Sequence, residues 1–316
     1  MRENGSAELD FLEELRDCAI CPRLCHADRV SGRLGYCRSN AGFSVGAICA
    51  HHGEEPALSG SRGICNVFFT RCNMQCVFCQ NVQISRTRGP IREQVLSLDA
   101  VVERIASFLD GGISMLGFVS PSHCIPQMRA IVARLKMSGF SPTVVMNTNA
   151  YDREETLRSL EGLVDVFLPD LKYMDPALAA SYSDAADYPD AAIKALKEMY
   201  RQKGKAVSVD SEGLMRSGLI VRHLVLPGHV DNSLRCLRAI ARELSPKVHL
   251  SLLAQYHPIG PVHSHPQLGR SLRPEEYEQV LAEMDGLGFE SGWTQELDSQ
   301  NRYLPDFATD EPFAES

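Results

Sequence analysis

Residues 64–81 read ICNVFFTRCNMQCVFCQN, and this stretch decides the fold. Its first six residues are mostly apolar, as is typical of a short strand buried on both faces of a parallel sheet. A polar loop that carries Cys72, Cys76 and Cys79 follows directly. Catalytic groups of parallel-sheet folds lie at the carboxyl ends of the strands, so this position favours a functional role for the three thiols.

Five further apolar runs follow, and amphipathic stretches lie between them. This alternation predicts parallel strands connected by helices. Six such units with right-handed crossovers form either a doubly wound sheet or an incomplete parallel barrel, and periodicity alone does not choose between them. The predicted strands are 64–70, 114–120, 143–147, 164–168, 219–226 and 248–254, and the predicted helices are 98–109, 125–137, 152–160, 191–202, 232–244 and 274–287.

Composition excludes several classes of protein. Hydrophobic residues make up 44% of the 316 residues and charged residues 23%, which excludes wholesale disorder. A net charge of −8 has the wrong sign for a protein whose main partner is nucleic acid. No apolar run approaches the roughly 18 residues that cross a bilayer, and the polar start does not resemble a signal peptide. We therefore expect a cytoplasmic protein without a membrane partner.

Nine of the eleven cysteines fall within the first 79 residues. Closely spaced thiols without a secretion signal are more often metal ligands or redox groups than disulfides. Four of them, Cys18, Cys21, Cys25 and Cys37, predict an auxiliary structural site for zinc, a single iron or a second cluster. We expect a cysteine-rich, loop-rich N-terminal extension over residues 1–61, a barrel over 62–307 and a flexible acidic tail over 308–316.

The spacing of the three-cysteine loop is C-x3-C-x2-C. Three thiols on a short loop can each bind a different iron of a cubane cluster, which leaves one iron open for a substrate or cofactor. The alternative is a structural zinc site with Cys65 as the fourth ligand. On that alternative the protein is a cysteine-rich metal-binding or redox-sensing module rather than an enzyme.

Cys72, Cys76, Phe78 and Cys79 match the C-x3-C-x-aromatic-C hallmark of the radical S-adenosylmethionine (SAM) superfamily, which the chain resembles. It also resembles the iron–sulfur proteins related to pyruvate formate-lyase activating enzyme, through GEEP at 53–56, DVFLPDLKY at 165–173, RHLVLPG at 222–228 and AQYHP at 254–258. The resemblance implies a partial (β/α)6 barrel with a [4Fe-4S] cluster on the three cysteines. It further implies an enzyme that cleaves SAM to a 5′-deoxyadenosyl radical, which abstracts hydrogen from a substrate.

The resemblance also implies which residues bind SAM, and it assigns no catalytic residue beyond the cluster. Asn147 stands where an aspartate is expected, which removes one negative charge from an expected cation site. A Gly-Gly-Glu segment is absent after the second predicted strand, so Ser120 or Ser122 is the substitute acceptor for the SAM amine. The predicted cofactor-binding residues are Phe78, Ser120, Ser122, Asn147, Thr148, Asp170, Lys172, Arg222 and His257.

Two protein partners follow from the same resemblance. Reductive cleavage of SAM needs an electron donor, for which we expect a flavodoxin or a ferredoxin. An activating role would make a glycyl-radical protein the substrate, while modification of a small molecule or a peptide is an equal alternative.

Overall fold

The computed structural model describes residues 6–301, 304–309 and 311–313. Within these ranges, ten strands form one sheet and ten α-helices surround it, both numbered in chain order. The strands are β1 Phe43–His51, β2 Ile64–Phe69, β3 Gln94–Leu96, β4 Met115–Val119, β5 Thr143–Thr148, β6 Val166–Pro169, β7 Ser208–Val209, β8 Met215–Leu224, β9 His249–Leu253 and β10 Gly292–Thr294. The helices are α1 Ser6–Glu13, α2 Pro56–Ser59, α3 Val82–Ser85, α4 Leu98–Asp110, α5 Ile125–Met137, α6 Glu154–Arg158, α7 Pro176–Ser183, α8 Tyr188–Lys203, α9 Val230–Glu243 and α10 Pro274–Gly286.

The order of the strands decides between the two predicted architectures. The sheet runs β10-β9-β8-β6-β5-β4-β2-β1-β3, and the strands from β2 to β10 on this path are parallel. Each new parallel strand is added on the same side of the previous one, whereas a doubly wound sheet reverses its direction of growth. The α/β fold class is therefore confirmed, with a mostly parallel sheet arranged as a partial barrel.

All six predicted strands are present, because apolar runs buried on both faces give a strong signal. Strands β2, β4 and β6 are buried at every position. The predicted helices are present as well, although α6 is shorter than the predicted range of 152–160. A seventh parallel strand, β10, was not predicted.

One strand lies in the segment that we expected to be loop-rich. Strand β1 pairs antiparallel with β2 on one side and with β3 on the other. Its residues alternate between buried and half-buried along all nine positions, so one face belongs to the core. The N-terminal segment thus contributes a strand to the main sheet, and the division at residue 61 stays a prediction.

The C-terminal segment packs against the same region of the sheet. The ring of Phe307 lies edge-on to Phe68, with 5.4 Å between centroids. The ring of Phe313 lies 4.2 Å from the ring of His51. The described part of the predicted flexible tail is thus in contact with β1 and β2. No helix in the described part of the chain has both the length and the apolarity needed to span a bilayer.

Candidate active site

The three cysteines of the C-x3-C-x2-C motif lie on the loop between β2 and α3, at the carboxyl end of β2. Distant parts of the chain hold this loop. The backbone N–H of Val77 donates to the carbonyl of Tyr182 at 2.8 Å. The guanidinium of Arg23 donates to the carbonyl of Asn73 at 2.9 Å. The loop is therefore positioned by helix α7 and by the N-terminal segment as well as by its own strand.

Each of the three sulfur atoms accepts a hydrogen bond. The donors are the Ser183 hydroxyl to Cys76 Sγ at 3.0 Å, the Ser85 hydroxyl to Cys79 Sγ at 3.3 Å and the Met74 N–H to Cys72 Sγ at 3.4 Å. The amide of Asn149, at the end of β5, lies 3.6 Å from Cys72 Sγ as a further donor. Hydrogen bonds to sulfur stabilise thiolates and tune the reduction potential of iron–sulfur clusters.

The three thiols share one electrostatic environment with Lys172. Burial raises the pKa of Cys72 and raises the pKa of Cys76 to about 11, while the nearby Lys172 ammonium lowers both. Lys172 Nζ donates to Asp170 Oδ2 at 2.6 Å. Burial disfavours the ammonium, but Asp170 and Cys76 favour it and raise the pKa of Lys172 to about 12. A permanent positive charge thus lies beside the thiols.

The strand ends around Lys172 are tied together by buried groups. The hydroxyl of Tyr188 donates to the carbonyls of Asp170 at 2.6 Å and Asn149 at 2.9 Å, and it accepts from the N–H of Lys172 at 2.9 Å. Behind this segment, the ring of the fully buried His223 lies 2.6 Å from the carbonyl of Leu171. The positions of Asp170 and Lys172 are therefore fixed by packing.

A cavity of about 300 Å³ lies inside the barrel beside the cysteine loop. Gln80 and Asn81, directly after Cys79, form part of its wall. Of the predicted cofactor-binding residues, Asn147 of β5 and Arg222 of β8 also line it.

Arg222 contacts two glutamates that the sequence analysis did not select. Its Nε donates to Glu55 Oε1 at 2.8 Å, and its Nη2 contacts both Glu54 and Glu55. Glu54 and Glu55 belong to the GEEP segment, which we used only as part of the family resemblance. The sequence signal that could have identified them is a pair of adjacent glutamates shortly before a buried strand, because buried acidic groups need a partner.

Other predicted cofactor-binding residues lie elsewhere around the strand ends. The hydroxyls of Ser122 and Thr148 are 3.0 Å apart and fully buried, and Thr148 also donates to the buried Asp152. These two hydroxyls are thus engaged with each other and with a carboxylate that we did not predict.

The remaining three positions, Phe78, Ser120 and His257, differ in their surroundings. Phe78 is buried with its ring 6.1 Å from that of Tyr256. Ser120 ends β4 in a left-handed conformation with φ 49°, and its N–H donates to the carbonyl of Asn147 at 2.7 Å. His257 follows β9, and its buried Nδ1 has no partner among the described residues.

The four N-terminal cysteines lie near one another. Burial, with smaller contributions from the other three thiols, raises the pKa of Cys21 to about 12. The N–H of Tyr36 donates to Cys25 Sγ at 3.2 Å, and a Cβ on Gly35 would lie 2.8 Å from that sulfur. The fully buried Arg29 donates to the carbonyl of His123 at 2.7 Å and so attaches this segment to the end of β4.

Neither group of cysteines is arranged around one ion. In the described ranges, no three histidine, cysteine or acidic side chains are placed to hold a single metal ion. A cubane cluster does not need such convergence, because each thiolate binds a different iron. The single-zinc alternative with Cys65 is wrong for the three-cysteine loop. Cys65 lies near the opposite end of β2, pairs across the sheet with Ala50 and is fully buried in the core.

The sequence profile of the radical SAM superfamily matches residues 66–235. This range is more than half of the chain and includes the cysteine loop and the ends of β4, β5, β6 and β8. The chain belongs to the radical SAM superfamily. Such proteins bind a [4Fe-4S] cluster and SAM. The three half-buried, hydrogen-bonded thiols beside Lys172 fit the thiolate ligands of such a cluster.

Several proteins are similar to this radical SAM protein. An uncharacterized protein of Methanocaldococcus jannaschii is 28% identical over 270 residues, which are 84% of this chain and 73% of the relative. Streptococcus suis SuiB, solved with its precursor peptide SuiA, aligns over 76% of this chain and 50% of SuiB with 14% identity and a TM-score of 0.48. A domain of pyruvate-formate lyase-activating enzyme from Bacteroides vulgatus aligns over 54% of this chain and 93% of that domain, with 14% identity and a TM-score of 0.39. The chain thus spans about half the length of SuiB.

The stability of this radical SAM protein is expected to depend on pH through His223. Burial lowers the pKa of His223 from its ordinary 6.5 to about 4 in the folded chain. Between these values the unfolded chain binds more protons, so the free energy of unfolding falls as the pH is lowered, by about 1.4 kcal/mol per pH unit for one histidine. Urea unfolding at pH 7, 6 and 5 should therefore show a shallower loss of stability for His223→Gln.

The exposed His263 provides the control. His263→Gln should keep the pH dependence of the unmodified protein when samples of equal cluster content are compared. Identical slopes for His223→Gln and the unmodified protein would show that His223 is not held neutral by burial.

Proposed function

We propose that this protein carries out radical SAM chemistry on a substrate held in the barrel cavity, and that Cys72, Cys76 and Cys79 bind its [4Fe-4S] cluster. The observation that carries the proposal is the set of three half-buried cysteines, whose sulfurs each have a hydrogen-bond donor, beside the ammonium of Lys172. When bound, the reduced cluster and SAM supply the 5′-deoxyadenosyl radical that removes hydrogen from the substrate.

The chain's own residues bind and orient SAM. We propose that Lys172 and Asp170 bind the carboxylate and the amine of SAM, because an ammonium and a carboxylate 2.6 Å apart offer both charges at once. Asn147 lines the cavity from β5, and for it we propose a hydrogen bond to the ribose of SAM. For Ser122 and Thr148 we propose a positioning role, since their hydroxyls already bond to each other. Phe78, Ser120 and His257 stay predicted cofactor contacts. Arg222 was predicted as one too, but its guanidinium is bonded to Glu54 and Glu55, and we propose a role in positioning these carboxylates instead.

The wall of the cavity also limits access of water. Phe68, Val119 and Leu253 contribute apolar surface from three strands, and Pro305 and Phe313 cover one side. Exclusion of water matters for this chemistry because a carbon radical must meet only its substrate.

We propose an auxiliary metal site at Cys18, Cys21, Cys25 and Cys37. The mutual proximity of the four thiols supports it, as do the sulfur hydrogen bond from Tyr36 and the close fit of Gly35. The eleven cysteines, all of which lie among the described residues, form no disulfide bond, which suits a reducing compartment, and we propose that the protein acts in the cytoplasm.

The first test replaces one proposed cluster ligand and one matched cysteine. Cys76→Ala should stop the formation of 5′-deoxyadenosine and lose the share of the visible absorption and of the low-temperature electron paramagnetic resonance signal that responds to SAM, because two thiolates hold a cubane cluster poorly. Any signal of an auxiliary iron site should remain. Anaerobic reconstitution with iron and sulfide, reduction and addition of SAM provide all three measurements.

Cys236 is the control, because it is fully buried in α9 and far in sequence from both groups of cysteines. Cys236→Ala should keep both cluster and activity. A Cys76→Ala protein that still forms 5′-deoxyadenosine at the unmodified rate would overturn the ligand assignment.

The auxiliary site is tested by metal analysis of Cys21→Ser. This variant is expected to lose the auxiliary metal and to keep the electron paramagnetic resonance signal that depends on Cys76.

An arginine groove lies beside the cysteine loop and supports the expected electron donor. Its basic residues are Arg38, Arg71, Arg86 and Arg88. Arg71 precedes Cys72 in the chain, and Arg86 follows Ser85, the donor to Cys79 Sγ. The chain as a whole carries −8 and repels an acidic carrier, so a local positive surface next to the cluster ligands is what such a carrier needs. A glycyl-radical partner stays a prediction.

Reversal of charge in the groove should slow reduction by an acidic carrier. Arg88 is exposed and lines the groove, whereas Arg242 is exposed on α9 outside it. At low ionic strength, Arg88→Glu is expected to lower the rate of cluster reduction by flavodoxin about tenfold, and Arg242→Glu to leave it unchanged. Photoreduction by 5-deazariboflavin, a small neutral reagent, should be equal in both. Equal rates of cluster reduction by flavodoxin in the two variants would show that the groove is not the docking surface.

A further inference from the structure

We propose that the barrel cavity binds its substrate through a cationic group, an ammonium or a guanidinium, at an acidic floor formed by Glu54, Glu55 and Arg222. The inference rests on the proposed function, because it names the class of substrate for the same cavity. It comes from the charge, the hydrogen-bonding capacity and the aromatic surface of the cavity wall.

The charge of the cavity wall is negative. Of its described lining residues, only Glu54, Glu55 and Arg222 are charged at neutral pH. His51 also lines the cavity, and burial lowers its pKa, so it stays neutral at pH 7. Two carboxylates against one guanidinium leave one negative charge without a partner. A buried charge of this kind is costly unless a cation approaches it, and a cationic ligand would supply that partner.

The carboxylates retain capacity to accept hydrogen bonds. Glu55 receives both of its bonds from Arg222, and Glu54 receives one from Arg222 and one from the Asn66 amide at 3.1 Å. Each carboxylate oxygen has two lone pairs, so one site on each oxygen is still open. The side chain of Asn66 packs directly against Gly117, since a Cβ at that glycine would lie only 1.9 Å from Asn66 Oδ1.

The remaining wall also suits a cation. Phe68, Trp293 and Phe313 line the cavity, and aromatic faces attract ammonium and guanidinium groups. His51 is 9% exposed, and its Nδ1 has no hydrogen-bond partner among the described residues. In the neutral ring, this nitrogen can accept a hydrogen bond from a donor group of a ligand.

The size of the cavity limits the ligand. About 300 Å³ is at the lower end of the volumes of small-molecule sites, so a short alkyl chain with one cationic end fits. Such a group is found on a free small amine and on the lysine or arginine side chain of a peptide. The shared chemistry is the cation, and the experiment separates the two sources.

The test is isothermal titration calorimetry of the reconstituted protein with matched ligands. The cations are n-butylammonium and n-butylguanidinium, the neutral analogues are 1-butanol and n-butylurea, and butyrate is the anion. The cations are expected to bind at least tenfold more tightly than their neutral analogues, and butyrate is expected not to bind. Binding of the tripeptide acetyl-Gly-Lys-Gly-amide as well would assign the site to a side chain, whereas binding of the free cations alone would assign it to a small molecule.

Variants locate the binding at the acidic floor. Glu54→Gln removes one of the two carboxylates that share Arg222, which leaves the floor without excess negative charge, and it should weaken n-butylguanidinium binding at least tenfold. Glu198→Gln is the matched control, because Glu198 is also buried and bonded to an arginine, Arg201 at 2.9 Å, but does not line the cavity. The ligand series on the unmodified protein remains decisive if Glu54→Gln does not fold.

Three results would overturn the inference. These are equal affinity for cations and neutral analogues, preferential binding of butyrate, and a Glu54→Gln protein that loses affinity for SAM but not for n-butylguanidinium. The last result would assign the carboxylates to the sulfonium of SAM. Cation binding by a protein that does not form 5′-deoxyadenosine would refute the proposed function and leave this inference standing, so the two failures are distinguishable.

Discussion

Three thiols must be held together on one loop, and the structure around them disfavours the ionisation of Cys72 and Cys76. Burial works against the thiolate form of Cys72 and Cys76. The surrounding structure offsets this with hydrogen-bond donors from α3, α7 and β5 and with the ammonium of Lys172. These donors come from residues up to 107 positions away in the chain. The site therefore requires that β5, β6 and the helix after β6 have formed beside β2.

Most strands of the sheet could be predicted from the sequence, but not all of them. Strands that are buried on both faces, such as β4 with MLGFV, are short continuous apolar runs, and a buried strand accounts for such a run better than a helix or a loop does. Strand β1, with FSVGAICAH, has small residues and a glycine at its centre, and its pattern of one buried face emerges only when β2 and β3 pair with it. Its stability is a property of tertiary contact, which local composition does not record.

The same distinction separates the site residues that could be predicted from those that could not. The rule that functional groups follow parallel strands placed Lys172 and Asp170 correctly beside one another, because backbone position decides that contact. Arg222 was also placed on the cavity, but the direction of its long side chain is decided by Glu54 and Glu55, which lie 168 and 167 residues earlier. Ser122 and Thr148 differ again, since a buried carboxylate, Asp152, uses the hydroxyl of Thr148. A strand-end position predicts where a residue is, not which partner its side chain finds.

The charges of the molecule are divided in a way that suits its chemistry. Around the cysteine loop they are positive, with Lys172 beside the sulfurs and the arginine groove outside them. Within the barrel they are negative, with two glutamates against one arginine. On the proposed function, a cluster with three thiolate ligands is anionic and would be stabilised by the first region, which would also attract an anionic protein carrier. The cationic substrate that we propose would be drawn to the second region, so the opposite signs would separate the approach of the electron donor from that of the substrate.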